Sequence, residues 1–181
     1  MVTSSKELAR KLDRLAGRQH GCFTAAQAIQ IGYADSVHLY HVKTGSWVRI
    51  YRGVYRLAAH PETPEARCMA ALLWTRGKNG RIQGFLKAET AQALLAGNLA
   101  PGDPIHLAVE TGFRRSSLVP AGILITSCSA GKHISLIING LPMEKGAIQP
   151  SSSPAIGPEG LDMPDYYDWL DFQSSRCAPS S

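Results

Sequence analysis

The order of helices and strands in this chain is decided by residues 24–57, TAAQAIQIGYADSVHLYHVKTGSWVRIYRGVYRL. The first four of these residues form an S/T-x-x-E/Q capping box, which predicts a short helix that runs to Ile31. Asp35 or Ser36 is placed to cap a further helix that extends to Lys43 and ends before a glycine. Two short helices joined by a turn that contains glycine indicate a helix-turn-helix.

A hairpin and an earlier helix flank this motif. Residues 47–51 and 54–57 are rich in aromatic and β-branched side chains and are joined by Arg52-Gly53, so they predict two antiparallel strands. Over residues 6–16, leucines at i, i+4 and i+7 spacing predict an amphipathic helix. Three helices followed by a hairpin are typical of a winged helix, which we place at residues 1–60.

The distribution of charge indicates what this module binds. The chain carries a net charge of +5, and residues 1–60 hold nine Lys and Arg against three Asp and Glu. Residues 128–181 hold three Lys and Arg against six Asp and Glu. A basic first third favours a polyanionic partner, and a helix-turn-helix within it favours double-stranded DNA.

The candidate DNA contacts are polar and basic side chains of the third helix and the hairpin: Ser36, Tyr40, Lys43, Arg49, Arg52 and Arg56. Cationic side chains neutralise phosphates, and small hydroxyls near the start of a recognition helix contact base edges or phosphates. Other interpretations are open at this point. Tyr40 and His41 would also suit packing against the hairpin or Trp47, and the arginines would also suit a solubilising surface. His38 is compatible with the core or with DNA.

Several stretches of this region resemble the N-terminal winged-helix domain of AbiEi-family antitoxins, which belong to type IV toxin–antitoxin systems. They are GCFTAAQA (21–28), GY (32–33), YHVKTGSW (40–47) and RGVYRL (52–57). The run RGVYRL is the most specific of these signatures. The resemblance implies that the N-terminal segment is a winged helix that binds DNA.

The following segment resembles the middle region of the same family, so that the resemblance spans about residues 8–142. It predicts a small α/β domain over residues 63–142, with helices at 64–77 and 88–96, strands at 81–85, 105–109 and 122–126, and a basic loop with Arg114 and Arg115. The family pattern does not continue after Pro142, so we expect this antitoxin-like domain to be incomplete. The expected fold class is α+β, with a winged helix-turn-helix, a small α/β domain and a largely disordered C-terminal tail.

The resemblance implies a DNA-binding antitoxin that represses its own operon by binding repeats in the promoter. It further implies that the protein counteracts a cognate nucleotidyltransferase-like toxin without forming a stable complex with it. Binding to repeats would use a dimer or two monomers side by side. The alternative is a plain transcriptional regulator, or a protein-interaction module tethered to DNA, without antitoxin activity.

Residues 143–181 are expected to form the disordered tail, because proline, serine and glycine at this density do not build a packed core. Within it, residues 162–172 interleave aspartates with bulky apolar side chains. This segment is compatible with a solvated tail, with docking on a partner, or with folding back over the basic module as a DNA mimic.

Other functional classes are disfavoured by what the sequence lacks. It contains no Walker loop, nucleophile elbow or H-E-x-x-H motif, so we expect no enzyme and no cofactor. The four cysteines lie far apart, which favours reduced thiols over a disulfide framework or a zinc site. With no long apolar run and no secretory signal, the expected location is the cytoplasm and no membrane partner is expected.

Overall fold

A computed structural model of the chain describes residues 4–115, 117–129 and 135–145. These residues form both helices and strands, which confirms the α+β class. The N-terminal elements are α1 (Ser5–Gly17), β1 (Cys22–Thr24), α2 (Ala25–Ile31), a 3₁₀ turn (Asp35–Val37), α3 (His38–Lys43), β2 (Trp47–Tyr51) and β3 (Val54–Leu57). They are followed by α4 (Pro64–Trp74), β4 (Gly84–Leu86), α5 (Ala88–Leu95), β5 (Ile105–Glu110), β6 (Ile123–Cys128), β7 (Ser135–Ile138) and β8 (Leu141–Glu144).

The capping box predicted at the start of α2 is present. The Thr24 hydroxyl accepts a hydrogen bond from the Gln27 backbone amide at 3.2 Å, and the Gln27 side chain accepts one from the Thr24 amide at 2.8 Å. Gln27 also exchanges side-chain hydrogen bonds with Gln19 at 2.9 and 3.3 Å. Because Gln19 lies just after α1, these amides fix the start of α2 against the end of α1.

The N-terminal elements surround a small antiparallel sheet in the order β1-β3-β2. Strand alternation sends Phe23, Trp47 and Tyr55 to one face, where they pack with apolar side chains of α1 and α2. Cys22 and Val54 point to the opposite face and pack against α4. Both faces of this three-stranded sheet are therefore covered.

Helix α4 is the centre of the larger core. Thr63 caps it by accepting a hydrogen bond from the Ala66 amide at 3.2 Å, and Pro64 occupies the first turn, where a missing N–H costs nothing. Every residue from 68 to 74 is buried, so α4 is enclosed around most of its circumference after its first turn. It contacts both sheets, so the segments predicted as two domains share one apolar core.

The second sheet has five strands in the order β6-β5-β4-β8-β7, with parallel pairing for β5–β6 and β4–β8. Leu86, Leu107 and Met143 are fully buried on the face that packs against α4 and α5. The alternate positions include Leu124 and Ile137, which are 50% and 76% exposed. The described helices thus pack on one face of this sheet.

The structure corrects the predicted boundary of the tail. Met143 is 1% exposed in the core of the five-stranded sheet, and β8 runs to Glu144, so the ordered region passes the expected limit at residue 142. Strands β1, β7 and β8 were not predicted, and the strand expected at 81–85 begins at Gly84. The predictions for residues 146–181, including the acidic and aromatic segment 162–172, lie outside the described residues.

Candidate nucleic-acid interface

Helix α3 is held by an aromatic cluster centred on Trp47. The His41 ring stacks on the Trp47 ring at 4.6 Å and 16°, and the His38 ring lies 5.3 Å from it. His38 is 6% exposed, which places it in the core. The alternatives left open by the sequence are therefore decided for both histidines, since each packs inward and orients the helix.

The opposite side of this helix is exposed. Tyr40 and Lys43 lie one turn apart on α3 and are solvent-exposed, with Tyr40 at 63%, and Ser36 in the preceding 3₁₀ turn is exposed four residues before Tyr40. Leu39 lies on the same stripe and is 61% exposed. Sequence reasoning missed Leu39 because apolar side chains are assumed to face inward. Leu39 lies three residues after Ser36 and four before Lys43, and this spacing was the signal in the sequence that it shares their exposed side.

Arg49 lies on the face of the small sheet that α3 covers. Its cross-strand neighbour in the register is Tyr55, whose ring lies 5.7 Å from Trp47 and 6.0 Å from His38. Directly opposite side chains of an antiparallel pair share a face, so Arg49 projects on the same side as α3 and is exposed at the outer strand. The structure therefore brings Arg49 to the helix that carries the other exposed candidates.

Arg52 occupies the tip of the hairpin. It is exposed, and the following Gly53 has a φ of 75°, a left-handed conformation that glycine adopts at little cost. The tip is anchored by a hydrogen bond from the Ala25 amide to the Gly53 carbonyl at 2.9 Å. The cation at the tip is thereby connected to the beginning of α2.

Arg56, one of the predicted DNA contacts, is largely buried. This residue is 8% exposed, and its guanidinium donates to the His60 carbonyl and to a Glu62 carboxylate oxygen at 3.4 Å. It lies between Cys22 and Val48 on the face that is turned towards α4, because strand alternation gives it the same side as Val54. Arg56 therefore fixes the connector between β3 and α4 and does not join the exposed set.

The exposed cations lie apart from the buried side of α3. Burial and the neighbouring His38 lower the pKa of His41 below its ordinary value, so the His41 side chain is neutral at pH 7. Asp35 lies 3.4 Å from the His38 ring nitrogen Nδ1 at the start of the segment. The cationic side chains Lys43, Arg49 and Arg52 are all on exposed positions, which makes this surface basic.

Neither a metal centre nor a reactive thiol is evident in the part of the chain that the structure describes. Among residues 4–115, 117–129 and 135–145, no group of three or more His, Cys, Asp and Glu is placed to hold a metal ion. Burial raises the pKa of Cys22 and of Cys68 to about 12, so both are protonated at pH 7. Within the same residues, no helix has the length and apolar character needed to cross a membrane.

Comparison with known proteins matches one part of the chain. Residues 10–58 match the protein-family model described as a transcriptional regulator, AbiEi antitoxin. No match is found among curated proteins. The matched residues run from within α1 to the residue after β3 and so include α3 and the hairpin. This segment is thus similar to AbiEi antitoxin transcriptional regulators, which confirms for residues 10–58 the family resemblance predicted from the sequence.

Proposed function

We propose that this chain is a sequence-selective DNA-binding transcriptional regulator, and that residues 4–58 act as a winged helix-turn-helix. The observation that carries the proposal is the two-sided character of α3. One side is fixed to the Trp47 cluster, and the other side exposes Leu39, Tyr40 and Lys43, which continue the spacing of the exposed Ser36 in the preceding 3₁₀ turn. The family match on residues 10–58 supports the same class of function.

In this proposal α3 enters the major groove. Ser36 and Tyr40 are suited to hydrogen bonds with base edges or phosphates, and Leu39 is suited to contact with the methyl group of thymine. Lys43, in the last turn, is suited to a base or a phosphate. Because α3 is short, we expect it to contact few base pairs as a recognition helix.

The hairpin acts as the wing. Arg52 at its tip and Arg49 on β2 neutralise phosphates of the backbone or lie along the minor groove. Arg56 takes no part in DNA contact, because its guanidinium is used by His60 and Glu62. The proposed interface is therefore Ser36, Leu39, Tyr40, Lys43, Arg49 and Arg52.

A single winged helix buries only about 600–1,000 Å² on DNA. Sequence selectivity at a promoter would therefore use two copies on repeated half-sites, either as a dimer or as neighbouring monomers. We propose that the repeats lie in the promoter of the operon that encodes this chain. Repression would follow from occupancy of that promoter.

The test is to measure the affinity of the full chain for its own promoter DNA and for a scrambled duplex over a range of salt concentrations. The proposal expects tighter binding to the promoter at every salt concentration, with a log–log slope that flattens by about 0.9 for each phosphate contact removed. Arg52→Ala should flatten the slope and lower the affinity for both duplexes by the same factor. Lys78→Ala, an exposed lysine in the loop after α4, is the matched control.

Ser36→Ala and Lys43→Ala sharpen the assignment of roles. Both should change the preference among promoter variants more than Arg52→Ala does, because base contacts specify and phosphate contacts position. Equal effects of all three substitutions on every duplex would contradict this division. Weak binding that ignores sequence would instead favour a protein-interaction module that DNA only tethers.

Antitoxin activity is a second candidate function. It is favoured by the match to a family of antitoxin transcriptional regulators over residues 10–58. In this version the residues after 58 counteract a nucleotidyltransferase-like toxin without forming a stable complex. If a nucleotidyltransferase is encoded beside this chain and arrests growth, co-expression of the chain should restore growth, and Arg52→Ala should retain that rescue. Failure of the full chain to rescue growth would leave a plain transcriptional regulator.

A further inference from the structure

A groove of about 1000 Å³ lies at one end of the five-stranded sheet, and none of the residues assigned to DNA lines it. Its walls come from the loop between α4 and β4, from the end of β5, and from the hairpin of β7 and β8. Ile137 and Pro142 face each other across that hairpin and provide an apolar floor. Ile137 is 76% exposed, which is a large apolar surface for a residue in the middle of a strand.

The loop between α4 and β4 presents cations to this floor. Arg76 and Arg81 both line the groove. The loop between them is closed by hydrogen bonds from the Gly77 amide to the Arg81 carbonyl at 2.9 Å and from the Arg81 amide to Asn79 Oδ1 at 3.1 Å. The Arg76 Nε group also donates to the Gly80 carbonyl. The turn therefore holds the Arg76 guanidinium through its own backbone and fixes the backbone from which the exposed Arg81 side chain extends.

A neighbouring loop supports the one that carries Arg76. Arg115, between β5 and β6, donates to the Arg76 carbonyl at 3.0 Å, and its guanidinium lies 4.9 Å from the centre of the Trp74 ring. These contacts tie the second loop to the first. Glu110 is the one acidic side chain among the described residues that line the groove, so its balance of charge is positive.

The combination of an apolar floor with arginines at the rim favours a peptide over a nucleic acid as the ligand. A site that binds only the phosphate backbone of a nucleic acid does not need the exposed apolar surface of Ile137 and Pro142. A peptide that carries both carboxylates and apolar side chains satisfies both features at once, with bidentate pairing at the guanidinium groups. The size of the groove is at the upper end of the range for small-molecule pockets, which also favours a peptide.

We propose that this groove binds an acidic peptide segment of a partner protein, whose carboxylates pair with Arg76 and Arg81 and whose apolar side chains lie on Ile137 and Pro142. The inference is independent of the proposed DNA-binding function, because none of these residues belongs to α3 or to the hairpin of β2 and β3. A regulator with this groove would respond to a protein signal at a surface separate from its DNA contacts.

The experiment is a selection of random peptides displayed on phage against the immobilised full chain, with counter-selection against Arg81→Glu. Peptides that combine Asp or Glu with Leu, Ile, Tyr or Phe should be enriched. A synthetic copy of an enriched peptide should bind Arg81→Glu and Ile137→Ser about tenfold more weakly than the unsubstituted chain, as measured by fluorescence anisotropy. The matched controls are Arg10→Glu and Leu118→Ser, which alter exposed residues that do not line the groove.

Four results would overturn the proposal. They are no enrichment over the counter-selected pool, enriched peptides without acidic side chains, equal affinity for Arg81→Glu, or equal affinity for Ile137→Ser. Duplex or single-stranded DNA that displaces the peptide from the unsubstituted chain and binds Arg81→Glu poorly would identify a nucleic-acid site instead. Circular dichroism of each variant verifies that it is folded. Loss of DNA binding in Arg52→Ala leaves all of these readouts unchanged, so the two proposals fail separately.

Discussion

The two sheets of this molecule differ in how their faces are covered. The three-stranded sheet packs the Trp47 cluster and the N-terminal helices on one face and α4 on the other. In the five-stranded sheet, the described helices α4 and α5 pack on one face, and Leu124 and Ile137 are exposed on the other. A small sheet with two covered faces and a larger sheet with one therefore stand on either side of the same helix.

This difference determines where each region can meet a partner. In the small sheet, side chains in the middle of a strand are enclosed, as Arg56 is, and contact with a large ligand is left to α3, to the exposed edge strand and to the hairpin tip. In the larger sheet the surface of the strands themselves is available, as Ile137 is. Arg52 at the hairpin tip is therefore exposed, whereas Arg56 within β3 is buried.

The largest expected effect comes from removing the centre of the aromatic cluster. Trp47 is 3% exposed and contacts Phe23, Tyr33, His38, His41 and Tyr55. Trp47→Ala should lower the free energy of unfolding by about 3–5 kcal/mol. Because α4 packs on both sheets, urea unfolding followed by circular dichroism should remain a single transition. Two separated transitions would show that the sheets are independent domains. As a control, Trp47→Phe should lower the free energy of unfolding by less than Trp47→Ala does.

A smaller effect separates the two arginines. Arg56→Met removes hydrogen bonds to His60 and Glu62 and should lower the free energy of unfolding by about 1–3 kcal/mol, with unchanged DNA affinity where the protein is folded. Arg52→Met should change the free energy of unfolding by less than about 0.5 kcal/mol and weaken DNA binding. Denaturant titration and DNA titration of both variants check this. Weaker DNA binding by folded Arg56→Met would contradict its structural role.

A third substitution probes the exposed leucine on α3. Leu39→Ala should weaken DNA binding several-fold, since it removes an apolar contact to the major groove, and should leave the free energy of unfolding within about 0.5 kcal/mol. Leu95→Ala on α5 is the matched control, because Leu95 is also an exposed leucine on a helix. If the two variants bind DNA equally well, Leu39 is a surface residue without a role in binding.

The smallest expected effect depends on pH. The pKa of His41 is lowered in the folded protein by burial and by His38, whereas in the unfolded chain it returns to about 6.5. The unfolded state therefore binds the proton more readily. The contribution of His41 to stability is complete above its unfolded pKa and is lost as the pH falls through the lower folded value. Urea midpoints at about pH 7.5 and about pH 5.5 should differ less in His41→Phe than in the unsubstituted chain. Equal differences would show that other groups control the pH dependence.

Local signals in the sequence predicted most of the N-terminal region. The Thr24 capping box and the turn at Arg52-Gly53 use short-range rules, and both are present in the structure. The helix at Pro64 and the strand at Ile105 were also anticipated, but from the resemblance of this segment to the middle region of the AbiEi family. The capping box and the turn depend on neighbours within a few residues.

Long-range contacts account for what the sequence did not reveal. Arg56 is buried because α4 covers the second face of the sheet. The residues near position 56 do not indicate that a helix packs there. Strands β7 and β8 are four residues long each, and they become strands by pairing with each other and with β4. The groove formed with Arg76 and Arg81 depends on the same pairing, so it had no local signature.

The most direct test of the DNA-binding surface is a map of NMR chemical shifts of the full chain as promoter duplex is added. We expect the largest changes in the 3₁₀ turn, in α3 and at the hairpin tip, at Ser36, Leu39, Tyr40, Lys43 and Arg52. We also expect little change at Arg81 and Ile137 in the groove of the larger sheet. Changes concentrated in that groove, with α3 and the hairpin unaffected, would contradict the proposed DNA-binding surface.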